Sequence, residues 1–274
     1  MKSIRLAILD MNNGVENQGM RCIRAIVHRY RYVLDYAVYD VRAKHEVPAA
    51  ADYDIFISSG GPGDPRKSGE AWEAPFYALV DTIRDHNARG ETPPKFAFFI
   101  CHSFQMVTNH WNLGKLHERR SMSFGTFPAH MTEAGQIDPI FAGLSDPFWV
   151  ADFRSYQVTE PNEAALTAMG AEVLALEKER PHVPLDRAVM AIRYAPEIVG
   201  TQFHPEADAP GMLTHFQREA KMVHIINEYG KDKYAQMIND LRRPDLIERT
   251  NRTVIPGFLD RAIDTLKSEH ITVD

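Results

Sequence analysis

Cysteine is scarce. The chain of 274 residues has two, Cys22 and Cys101. Two thiols make no disulfide framework and suit a reducing compartment, so a cytoplasmic location is expected. Long hydrophobic runs are missing as well, and nothing approaches the ~20 residues that a bilayer crossing needs. The opening apolar segment, Ile4 to Leu9, soon meets Asp10 and lacks a small-residue cleavage site, so it is expected to be a first strand rather than a signal peptide. There is no dense basic block, and the formal net charge is −6, which argues against a nucleic-acid footprint. No Gly-Lys-Ser/Thr follows the glycine-rich stretch near residue 60, so a phosphate-cradling loop is excluded. No second cluster with ligand spacing accompanies His204 and Glu206, so no metal and no cofactor are expected. Internal repeats and low-complexity tracts are absent.

What remains is the balance of a globular chain, 44% hydrophobic and 25% charged. Ile4 to Asp10, Tyr36 to Tyr39 and Tyr53 to Ser58 read as strands, with a helix from Gln18 to Tyr32 between the first two. This is the strand–helix–strand unit of a parallel sheet. A helix over Ala74 to Asn87 follows. The middle of the chain alternates short strands and loops, which suggests a mixed sheet. Within it His117 to Arg120 is expected to be a charged turn, Ser123 to His130 a strand or hairpin, and Phe148 to Val158 a strand pair. Glu172 to Glu177, Ala188 to Tyr194 and Ile198 to Phe203 supply further strands. From Gly211 onward the pattern is helical: Phe216 to Tyr229, Lys233 to Leu241 and Phe258 to Leu266, the last two separated by Arg243-Pro244 and Ile255-Pro256-Gly257.

Three stretches carry chemistry. The unbroken apolar run Phe96 to Ile100 reads as a strand buried on both faces, and the pattern turns helical from Ser103. Cys101 therefore stands at a strand-to-helix elbow, its thiol at a helix N-terminus that favours the thiolate. By itself, a cysteine there is more often a small core residue. The second stretch is Ser58-Ser59-Gly60-Gly61-Pro62-Gly63-Asp64-Pro65, a rigid loop whose backbone N–H groups suit an oxyanion. The third is His204-Pro205-Glu206 after a strand, a base with its orienting carboxylate if strand alternation puts both on one side. Alone, such a histidine is more often structural.

Taken in order, these stretches resemble the class I glutamine amidotransferases, above all the stand-alone domains similar to the glutaminase part of GMP synthase. The resemblance runs from about Ile4 to about Ala220. It implies a flavodoxin-like three-layer α/β sandwich with a central, mostly parallel sheet over 1–225, and leaves 226–274 as a C-terminal helical extension. It also implies Cys101 as nucleophile, His204 as general base and Glu206 as its orienting residue. Backbone N–H groups of Gly61 and His102 would hold the oxyanion, with Gln105, Gly60, Arg154 and Tyr156 around the substrate. Two departures stand out. Phe99 and Ser103 replace the glycines that the family places two residues before and after the nucleophile, and Phe99 threatens to distort the elbow. Arg154-Ser155-Tyr156 replaces the family's His-X-Asp, removing a carboxylate that helps hold the glutamine α-ammonium.

The expected function is glutamine hydrolysis to supply ammonia, with a synthetase partner as acceptor. The alternatives are a Cys-dependent hydrolase or acyltransferase acting on a γ-glutamyl or other acyl substrate, and a catalytically silent binding or regulatory module. The apolar helical faces after residue 229 must be covered, by the α/β domain, by a second copy in a homodimer or by a partner.

Overall fold

The computed structural model describes residues 3–15, 17–181, 186–243 and 246–271. Among the described residues nine strands form one sheet: β1 (Ile4–Asp10), β2 (Leu34–Asp40), β3 (Ile55–Ser58), β4 (Phe96–Ile100), β5 (Lys115–Met131), β6 (Phe148–Thr159), β7 (Glu172–Glu177), β8 (Val189–Ala195) and β9 (Ile198–Thr201). Their spatial order is β2-β1-β3-β4-β9-β8-β7-β5-β6. Pairing is parallel from β2 through β9. It is antiparallel from β9 out to β6. The fold is α/β with a mixed sheet. The central strands β3 and β4 are buried throughout, and apolar but for Ser58 at the end of β3, as strands covered on both faces must be.

The helices lie on both faces. They are α1 (Gln18–His28), α2 (Glu73–Ala88), α3 (His102–His110), α4 (Glu133–Ile137), α5 (Glu163–Met169), α6 (Ala209–Phe216), α7 (Glu219–Tyr229), α8 (Lys231–Leu241) and α9 (Ile247–Ile271). On one face α1 and α9 pack on Phe96, Phe98 and Ile100. On the other, α2 and α3 cover Ala97 and Phe99. A third, smaller cluster joins α6, α7 and α8 to the edge strands.

Several local expectations change. His117 to Arg120 is not a turn but part of the long strand β5, which runs past a bulge between Glu118 and Ser123. Arg119 bonds Gln157 and Glu177 there, so a charged stretch is held in the sheet by its partners. Phe148 to Thr159 is one strand rather than a pair. The helical stretch before Tyr229 breaks at Gln217 and Arg218 into α6 and α7. Pro256 lies inside α9 instead of ending a helix. The apolar face of α9 is continuous across it, with Val254, Ile255, Phe258, Leu259, Ala262, Ile263 and Leu266 all buried. The packing of that face holds the helix through a residue that would stop an isolated one. The Phe258 ring meets Phe96 at 6.3 Å and Phe98 at 5.3 Å between centroids.

Candidate active site

The parallel strands β1, β3, β4 and β9 all end at the same edge, the place where open α/β sheets carry their sites. Cys101 follows β4 with φ +49° and ψ −98°, a conformation that a non-glycine residue holds only under constraint. The constraints are visible. Cys101 N–H donates to Thr201 O at 2.7 Å, tying the elbow to β9. The buried Ser103 hydroxyl accepts from Ile100 N–H at 2.9 Å and faces the carbonyls of Ser58, at 3.0 Å, and Ile100, at 3.1 Å. Ser103 thus cross-links the turn that a glycine would merely permit. Phe99 does not distort it: the ring packs on the other face of the sheet against Trp111 and Tyr194. Gly200, the register partner of Phe99, leaves the space, since a Cβ there would meet Phe104 at 3.0 Å and Tyr194 at 3.1 Å.

β9 delivers the histidine. Past Thr201 the chain bends, and His204 N–H donates to Ala151 O at 2.9 Å. His204 Nδ1 meets Glu206 Oε1 at 2.7 Å. The two come together through a turn beyond the strand, not through strand alternation. With Nδ1–H donated to the carboxylate, Nε2 is left for the thiol side. A Cβ on Gly60 would lie 2.8 Å from His204 Cε1 and 3.6 Å from Cys101 Cβ, so imidazole, thiol and glycine loop crowd one point. Burial pushes the imidazolium down, but Glu206 and Cys101 oppose it, and His204 is held well above its ordinary pKa. Glu206 is 1% exposed. Its Oε2 has no partner among the described residues.

Each oxyanion candidate has its own local setting. His102 heads α3, so its N–H has no intrahelical acceptor. Its own ring is buried and pushed down to about 4, first by burial and then by the positive charge of Arg42, so it stays neutral. Gly61 is pressed on the end of β1: any side chain there would clash with the Met11 carbonyl.

The substrate candidates divide. The Gln105 amide is buried, bonding Tyr156 O at 2.8 Å and Gln202 Oε1 at 2.9 Å. Gln202 in turn points Nε2 at Cys101 Sγ, 3.7 Å away. Arg154 is not an open pocket residue: its side chain is 1% exposed, with Nε on Asp152 at 3.0 Å and Nη2 on Glu177 at 3.1 Å. Only Nη1 lacks a protein partner among the described residues. Tyr156 is met by the glycine loop, where Arg66, paired with Asp64, lies over its ring at 5.3 Å. Arg66 holds the Asp64 carboxyl down at about 2. A carboxylate therefore stands beside Tyr156 although the strand itself lost one.

Other contributors gave no signal in sequence. Asn251, on α9, donates from Nδ2 to the Glu206 main-chain carbonyl at 2.8 Å. Gly19, in α1, lets that helix approach Glu206, since a Cβ there would lie 3.2 Å from Oε1. Gln202 was legible as a neighbour of His204, but its reach to the thiol was not. An open cavity of about 860 Å³ begins at Gly60, Gly61 and His204 and runs out beneath α6 and α7.

A family profile described as "Glutamine amidotransferase class-I" matches residues 15–218. The chain is similar in structure to a glutamine amidotransferase from Thermotoga maritima, with TM-score 0.68 at 14% identity over 96% of this chain and 100% of that one. It is also similar to a glutamine amido transferase from Methylobacillus flagellatus, with TM-score 0.59 at 14% identity over 99% and 95%. The glutaminase domain of a Trypanosoma brucei CTPS, solved with bound acivicin, aligns with TM-score 0.52 at 15% identity over 74% and 86%. No curated protein matches the chain in sequence.

Proposed function

The chain belongs to the class I glutamine amidotransferases, and from that premise we propose that it cleaves the side-chain amide of glutamine through a thioester on Cys101. The observation that carries this reading is the strained elbow of Cys101 facing His204, itself bonded to Glu206 at 2.7 Å. The raised pKa of His204 suits an imidazolium between a carboxylate and a thiolate.

The steps follow from those positions. The Cys101 thiolate attacks the amide carbon, and the new oxyanion sits between the N–H groups of Gly61 and His102. His204 gives its proton to the amide nitrogen, and ammonia leaves. Water then loses a proton to His204 and attacks the thioester, releasing glutamate and restoring the ion pair. Glu206 keeps the imidazole oriented throughout. The acyl part of the substrate lies toward Gln105 and Tyr156, with Asp64 as partner for the α-ammonium. Arg154 acts from behind as a buried cation near the thiolate. The ammonia serves an amination, and a synthetase partner in the cytoplasm is the acceptor in this reading.

The test is mass spectrometry of the intact protein after exposure to a glutamine-analogue diazo-ketone. One adduct is expected, on Cys101 and absent from Cys101→Ala. Unmodified protein under conditions that alkylate other thiols overturns the assignment.

A further inference from the structure

The cavity at the active site is far larger than ammonia requires. Its volume of about 860 Å³ is near the upper end of the roughly 300–1,000 Å³ typical of sites for whole small molecules. Its position relative to the triad is informative. Gly60, Gly61 and His204 line it, whereas Gln105, Arg154 and Tyr156 do not. In amide cleavage the nitrogen that departs must face the group that protonates it. A cavity that reaches His204 and Glu206 but not Cys101 or the acyl candidates suits the departing group rather than the acyl part.

The walls specify chemistry. Near the thiol the surface is aromatic: Phe124 is stacked on Tyr229 at 4.7 Å and 5°, and Phe153 lies 6.1 Å from His204. Helix α7 turns Lys221, Ile225 and Tyr229, spaced by four residues, onto the cavity, with Arg218 as its N-cap. Arg218 and Lys221 have no carboxylate partner among the described residues, unlike the nearby Arg21, which bonds Asp208 at 2.5 Å. The one carboxylate among the described lining residues, Glu206, is committed to His204. His215, against the same cations, is pushed down by burial and then by Lys221 and Arg218, so the field at that end is positive.

We propose that this cavity is a leaving-group subsite for an amine larger than ammonia, with an apolar or aromatic body and an anionic group that Arg218 and Lys221 bind. The proposal rests on the thioester reading above. The substrate is then an amide R–CO–NH–R′ in which R′ bears a carboxylate or phosphate. Cys101 forms the C–S bond, the C–N bond breaks, and His204 gives its proton to nitrogen, so H₂N–R′ departs into the cavity. Water gives one proton to His204 and its hydroxyl to the acyl carbon, the C–S bond breaks to restore the thiolate, and the acid's remaining proton passes to solvent, leaving R–CO₂⁻.

The probes are γ-glutamyl-3-carboxy-4-nitroanilide, γ-glutamyl-4-nitroanilide and glutamine. The carboxylated anilide is expected to exceed the uncharged one in kcat/KM by about tenfold or more, and Arg218→Ala with Lys221→Ala to bring that ratio close to unity. A second measurement needs no turnover: calorimetric titration with 5-amino-2-nitrobenzoate should show binding that 4-nitroaniline lacks and that the double variant loses. Retention of that binding by the double variant overturns the assignment of the two cations. Glutamine cleavage with no preference for the carboxylated anilide, and no binding of the free amine, overturns the subsite while the thioester reading stands. Anion-selective binding without any acyl-enzyme supports the subsite and fails the thioester reading instead.

Discussion

The two thiols differ in environment rather than in chemistry. Cys22 lies within α1, where burial pushes its thiol up to about 12. Cys101 sits at the elbow at the head of α3. Alkylation at neutral pH should therefore label Cys101 and leave Cys22 intact, read by peptide mass spectrometry; labelling of Cys22 first defeats the assignment. His204 adds a pH signature. Its folded-state pKa is raised, so the stability it contributes is complete below its ordinary value of about 6.5 and fades as pH climbs through the raised one. The Tm advantage of the wild type over His204→Gln should shrink on the alkaline side, and a difference that grows there contradicts the buried ion pair. Arg154 gives a sharper contrast. Arg154→Asp would return a carboxylate to this strand, at the cost of the buried cation. In the fold it would add a third carboxylate to Asp152 and Glu177 in a buried site. Even the neutral Arg154→Gln should cost about 3–5 kcal/mol in denaturant unfolding, because buried Asp152 loses its ion-pair partner, although Glu177 keeps Arg119 and Arg180.

Elements, rather than single residues, hold the triad in place. Thr201 on β9 fixes Cys101 through a backbone bond, α1 reaches Glu206 through Gly19, and α9 holds the Glu206 carbonyl through Asn251. Asn251→Ala should consequently lower kcat more than it raises KM, since Asn251 touches no substrate, and Asn251→Gln should not restore the rate if position is what matters. A change in KM alone would point to a binding role. The elbow illustrates a different compensation. Its missing glycines were legible as departures, yet their consequence was not: strand alternation sends Phe99 to the opposite face, where Gly200 makes room, and Ser103 exchanges permissiveness for two hydrogen-bonding contacts.

For the whole molecule, the last helix belongs to the core. Seven apolar side chains of α9 are buried on the same sheet face as α1. Phe258→Ala should cost about 3–5 kcal/mol by urea unfolding. Truncation after Tyr229 should leave the central strands uncovered and yield an insoluble or loosely packed chain. A truncated protein with an unchanged Tm would mean that the sheet does not depend on this cover.

The sequence by itself determined the elements with strong periodicity: β1, β3, β4, α1 and α2 all fall close to where the apolar pattern puts them, because burial on one or both faces leaves a local mark. It also determined the three stretches that meet at the site, since a glycine-rich loop, an elbow cysteine and a His-X-Glu step each have a local chemical reason. Only the tertiary structure decided the rest. The strand at His117 to Arg120 exists because Gln157 and Glu177, distant in sequence, satisfy Arg119. The helix through Pro256 exists because its face is buried. Asp64 stands beside Tyr156 because a loop and a strand far apart in sequence converge, and the cavity exists because α6 and α7 arch over the sheet edge. Such features are set by contacts between distant segments, whose energies no local pattern encodes.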